Sequence, residues 1–193
     1  MEPTLSFKKD KQVLAESIKN EISREFAGNL TIAIINSTTG GCLKIANSDA
    51  DVFNSGAIVK NANGDAVSAG FDLNNLIIDP PGTNLAWIYY SEEFSINNKP
   101  DSGCLNPQIL SVRKTNPLFL RKIVLGVANF SELKEKLKVP STSDFAVSFE
   151  YGANTIYAGE NKTSGNIYVK EIPVQYVDQS ANVLPGKIKI RVY

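Results

Sequence analysis

The chemistry open to this sequence is limited first by a side chain it lacks. Its 193 residues include no histidine, so the commonest general base and the commonest metal ligand are both missing. Serines are plentiful, but none stands in a Gly-x-Ser-x-Gly elbow, and a nucleophilic serine would need a lysine as its base. A hydrolase without histidine, using a Ser-Lys or paired-carboxylate site, is therefore the last of three readings. No glycine-rich phosphate loop lies between a strand and a helix. The residues point to a non-enzymatic protein with no catalytic residues, no cofactor and no metal.

Two cysteines occur, Cys42 and Cys104, each beside a glycine. In an oxidising compartment such a pair reads as a disulfide, and in the cytosol as two buried thiols. A bridge would close a loop of about 62 residues and stabilise the fold by roughly 4 kcal/mol. There is no Cys-x-x-Cys spacing to lower a thiol pKa, so a redox centre is not expected.

Oxygen-rich turns come next. Asp49-Ala50-Asp51 with Asn54, and Asn61-x-Asn63-Gly64-Asp65, resemble calcium-binding turns in composition. Neither completes an EF-hand loop, and Asx-rich hairpins form without metal. Trp87, Tyr89 and Tyr90 are the main aromatic cluster. In a strand Trp87 and Tyr89 share one face and Tyr90 takes the other, so the first two are candidates for contact with a sugar or a partner, with an ordinary core role as the alternative. Asn-x-Ser/Thr triplets at Asn29, Asn36, Asn129 and Asn161 are glycosylation candidates in a secretory setting.

Composition frames these residues. Apolar residues make up 42% and charged residues 21%, which suits a folded chain. The 20 basic and 20 acidic side chains cancel, which argues against nucleic acid as a partner. The 19 asparagines lie largely in turns, a pattern that fits an extracytoplasmic β-rich protein or simply many loops. No segment reaches the ~18 to 20 apolar residues of a membrane span. Met1-Glu2-Pro3-Thr4 shows no basic start or apolar run. That leaves a cytosolic chain, or one read downstream of a targeting segment.

The elements that must position these side chains follow from periodicity. Leu14, Ile18, Ile22 and Phe26 recur every four residues and predict a helix over 8–26, stopped at Gly28-Asn29. Short strands are expected at 30–35, 42–46, 57–60, 66–71, 76–78, 85–91 and 109–113, with Asn61 to Asp65 as a hairpin turn. Residues 92–107 read as a long loop that holds Cys104. The apolar run Leu118 to Val127 reads as a strand. A second short helix near 129–139 is capped by Asn129 and ended by Pro140. Strands at 144–151, 155–158, 166–177 and 187–193 complete the chain, with Pro173 marking an edge or a bulge. The expected fold is a single α+β domain over 1–193. An N-terminal amphipathic helix (8–28) would pack on a mainly antiparallel sheet, with 29–193 as a β-rich head.

The last third carries a resemblance. It runs from a helix ending Leu137-Lys138-Val139-Pro140, through Asp144-Phe145-Ala146-Val147-Ser148-Phe149-Glu150 and Ile167-Tyr168-Val169-Lys170-Glu171-Ile172-Pro173-Val174, to a closing strand. This resembles the extracytoplasmic parts of archaeal type IV pilin-like proteins with class III signal peptides. The resemblance implies a structural protein at the cell surface, its head held by an apolar helix upstream of residue 8 and its partners proteins, through self-assembly or a surface contact. The membrane would then be met only through that upstream anchor. A glycan- or protein-binding β-rich module is the alternative.

Overall fold

The computed structural model describes residues 3–37, 40–46, 56–137, 139, 144–160 and 166–193. Helix α1 (Pro3–Phe26) is followed by β1 (Leu30–Asn36), β2 (Leu43–Ala46), β3 (Gly56–Asn61), β4 (Ala66–Val67), β5 (Ala69–Asp72), β6 (Asn75–Ile78), β7 (Leu85–Ser91), β8 (Gln108–Thr115) and β9 (Leu118–Phe119). Helices α2 (Leu120–Ala128) and α3 (Phe130–Lys136) come next, then β10 (Phe145–Tyr151), β11 (Asn154–Ala158), β12 (Tyr168–Val177) and β13 (Val183–Val192).

The α+β expectation is overturned. Among the described residues thirteen strands in three sheets outweigh three helices, and the protein is β-rich. The run at Leu118 to Val127 is also corrected, since only its first two residues are strand and the rest is α2. The single short helix expected near 129–139 is α3, arriving directly after α2. Asn129 joins the two and makes no side-chain cap bond. Its backbone N–H donates to the Leu125 carbonyl, and its own carbonyl accepts from Leu133 N–H.

The chain divides into two compact units where its composition shows no boundary. A terminal unit holds Met1–Ala27, Leu118–Asp178 and Val183–Tyr193, and an inserted unit holds Gly28–Pro117 and Gln179–Asn182. In the terminal unit the sheet order is β11-β10-β13-β12-β9, antiparallel except for β12 with β9. Pro173 sits in β12 opposite Lys187 of β13; β9 reaches β12 only at Tyr176 and Val177. The proline's missing N–H therefore costs no ladder bond on its other side. Ala15, Ile18, Ile22 and Phe26 of α1 share a core with Ile123, Val127, Leu133, Phe145, Val147, Ile188 and Ile190. Gly126 of α2 admits the Phe26 ring, because a Cβ there would lie 2.5 Å from Phe26 Cε1. No helix among the described residues is long and apolar enough to cross a membrane.

The inserted unit is a sandwich. One sheet has the order β4-β3-β7-β1-β8 and the other β2-β6-β5. Strand alternation turns Ala33, Ile35, Ala57, Val59, Ala86, Ile88 and Tyr90 of the first toward Leu43, Ile45, Leu76 and Ile78 of the second. The predicted hairpin at Asn61 to Asp65 joins β3 to β4, with Gly64 at φ +86° where tight turns need a positive angle.

Candidate functional site

Three features of the inserted unit collect the residues named above. The first is the outer face of the five-stranded sheet. Register places Lys60, Trp87, Ile34 and Ser111 in one cross-strand row, and Ile58, Tyr89, Ile32 and Arg113 in the next. Trp87 and Tyr89 thus share the outer face and are half-buried, while Tyr90 enters the core. Burial raises the pKa of both tyrosines, of Tyr90 the more strongly. Lys60 Nζ lies 5.6 Å from the Tyr89 ring centre, within cation–π range. It also donates to Asn182 Oδ1 at 2.7 Å and to the Ala181 carbonyl at 3.3 Å.

The second feature is the long segment 92–107, which acts as a strap on the three-stranded sheet. At one edge Lys99 N–H donates to the Phe71 carbonyl, and Phe71 N–H to that of Asn97. At the other edge Lys44 N–H donates to the Leu105 carbonyl, and Leu105 N–H to that of Cys42. Both edges of β2-β6-β5 therefore have main-chain partners. Between them the strap crosses the outer face, so close that a Cβ on Gly70 would lie 2.8 Å from Lys99 Cβ. Ile77 points to that side and is buried.

A disulfide, Cys42–Cys104, pins the strap, with its Cα atoms 4.8 Å apart. Asp101 organises the turn before it. Its Oδ1 accepts from Gly103 N–H at 2.9 Å and Cys104 N–H at 3.0 Å, while Oδ2 holds Lys44 Nζ at 3.0 Å. The Cys104 amide first, then Lys44 and the Gly103 amide, pull the Asp101 pKa down to about 2. Lys99 Nζ pairs with Asp79 Oδ2 at 2.7 Å and lowers the pKa of that carboxyl.

The third feature is β8. It pairs with β1 on one side and with no other strand among the described residues. Gln108, Leu110, Ser111, Val112, Arg113 and Lys114 are all exposed, Leu110 by 48% and Val112 by 46%. The register with β1 shifts between Ile34 and Ile35, leaving Leu110 as the extra residue.

The remaining sequence candidates fall elsewhere. Lys99 brings the lysine expected of a Ser-Lys pair to Ser68, with Nζ to Oγ at 3.0 Å, beside a cavity of about 210 Å³ lined by Ala57 to Val59, Ala66 to Ala69 and Asn97. Asp79 Oδ2 accepts from the same ammonium at 2.7 Å, so Lys99 links Ser68 to a carboxylate. In the Asx turn, Asn61 Oδ1 accepts from Asn63 N–H and Asp65 N–H, each at 3.0 Å; that oxygen holds the hairpin. Asp49, Asp51, Asn54 and Asn161 lie outside the described residues. Asn29 and Asn129 are exposed, and Asn36 is half-buried at the end of β1. On the outer face of the terminal unit's sheet, Lys187 and Lys189 pair with Glu150 and Glu171, at 2.8 Å and 2.7 Å for the shortest contacts.

Sequence reasoning missed Lys44, Lys60, Lys99 and Asp101. Only Asp101 had a local signal, since Asp-x-Gly before a cysteine is a turn pattern. No known protein family, curated protein or solved structure matches this chain.

Proposed function

We propose that the protein is a structural or interaction protein of the cell surface, the head of a pilin-like or otherwise membrane-anchored assembly, acting through protein contact. The observation that carries this reading is a contrast between the two sheets of the inserted unit. One is sealed at both edges by a strap that a disulfide anchors, and the other ends in the eight-residue β8, which pairs with β1 alone among the described residues. Disulfides persist outside the reducing cytosol, and proteins ordinarily cover or shorten a strand edge that has no partner. The pilin-like resemblance of the last third supports the same placement, with the anchor upstream of α1.

Labelling intact cells of the source organism with a membrane-impermeant reagent tests the placement, together with alkylation of Cys42 and Cys104 before and after reduction. Labelling without lysis and thiols released only by reductant are expected. Free thiols in native protein recovered only after lysis would sink the reading. A second reading, glycan binding, is favoured by the outward Trp87 and Tyr89. Trp87 is the sole tryptophan, so its emission on titration with oligosaccharides decides that case.

A further inference from the structure

We infer that Asn63 is a site of spontaneous deamidation, and that Asn61 sets its rate by holding the hairpin between β3 and β4 shut. Of the 19 asparagines, Asn63 alone precedes a glycine. That order is the reactive one. The attacking group is the amide nitrogen of the next residue, and a glycine sets no Cβ beside it. Asn63 and Gly64 are both exposed.

The folded turn withholds that nitrogen. Gly64 N–H donates to the Asn61 carbonyl at 3.0 Å. On either side, Asn63 N–H and Asp65 N–H donate to Asn61 Oδ1, each at 3.0 Å. Three consecutive amides thus converge on one residue, and Ala62 N–H is taken by Thr83 Oγ1 at 3.1 Å. A hydrogen-bonded amide gives up its proton when the structure around it opens. This hairpin can open locally, since β4 meets β3 at two residue pairs, Val59 with Val67 and Lys60 with Ala66. In the open state the deprotonated Gly64 nitrogen attacks Asn63 Cγ. A C–N bond forms, the Cγ–Nδ2 bond breaks, and ammonia leaves with the proton. Water then opens the cyclic imide to aspartate or isoaspartate, and nothing is oxidised or reduced. Either product sets a second carboxylate two residues from Asp65, and isoaspartate adds a methylene to the main chain of the turn. Both disfavour the closed hairpin.

The test ages the full chain at mildly alkaline pH in water enriched in heavy oxygen, with peptide mapping by mass spectrometry at intervals. The synthetic peptide Lys-Asn-Ala-Asn-Gly-Asp-Ala serves as the unguarded reference. Heavy oxygen should enter at Asn63 before any other asparagine, and at least about tenfold more slowly than in the peptide. Asn61→Ala removes two of the three converging bonds and should speed the change about 5- to 30-fold. Exchange of the Gly64 amide should rise in step. Thr83→Val removes the acceptor of Ala62 N–H and should speed the change by less; if Asn61→Ala does not fold, this variant decides in its place. No change at Asn63, an earlier site elsewhere, a native rate equal to that of the peptide, or an unchanged rate in the deciding variant each overturns the inference.

Discussion

Replacing both strap cysteines, Cys42→Ser with Cys104→Ser, should remove much of the stability of the inserted unit. The bond spans 62 residues, and the loop-closure entropy returned to the unfolded chain corresponds to about 4 kcal/mol. The contacts left behind do not replace it. Lys44 with Asp101 and Lys99 with Asp79 are partly exposed ion pairs, a kind that solvent screens and that adds little to stability. Urea unfolding followed by tryptophan emission reads this unit, because Trp87 lies on β7 and is the only tryptophan. A loss of about 3 to 5 kcal/mol is expected, with a larger dependence on urea because the unbridged chain unfolds to a more open state. A loss below about 1 kcal/mol, in a parent whose mass change on reduction confirms the bond, would refute the argument that the strap is held by covalent loop closure.

Four further outcomes follow from particular contacts. Asp101 has its folded pKa depressed to about 2; its contribution is complete above the ordinary value of about 4 and lost as pH falls through about 2. Acid should therefore raise amide exchange along the strap over that window, and less steeply in Asp101→Asn. Gly56→Ala would place a Cβ 2.3 Å from the Phe94 carbonyl oxygen, and a melting temperature lowered by a loss of about 1 to 3 kcal/mol is expected. Gly126→Ala, 2.5 Å from the Phe26 ring, should cost a similar ~1 to 3 kcal/mol in the terminal unit, read by far-ultraviolet circular dichroism. Asn61→Ala removes the side-chain oxygen that accepts from two backbone N–H groups and should lower stability by about 1 to 2 kcal/mol, with calcium leaving the parent's melting temperature unchanged.

Much of the local structure was legible because one residue type decided it. The four-residue spacing of Leu14, Ile18, Ile22 and Phe26 marked a helix face. Asn63-Gly64 demanded a turn, and alternation separated Trp87 and Tyr89 from Tyr90. The α2 segment was misread because Ile123, Val124 and Val127 favour strands, and only packing decides otherwise. That packing, Gly126 under Phe26, joins residues a hundred positions apart. Division into two units was hidden for the same reason, since an insertion needs no linker of unusual composition. The partners of Lys44 and Lys99 were out of reach because the strap that brings Asp101 to Lys44, and Lys99 to Ser68 and Asp79, has no period of its own.

The disulfide also governs how the inserted unit would carry a pull. The two ends of its main segment are joined, Gly28 N–H donating to the Pro117 carbonyl at 3.0 Å. Tension that parted them would still meet a covalent tie at Cys42 and Cys104, so residues 42 to 104 could not extend, and β2 would stay fastened to the strap after its hydrogen bonds had gone.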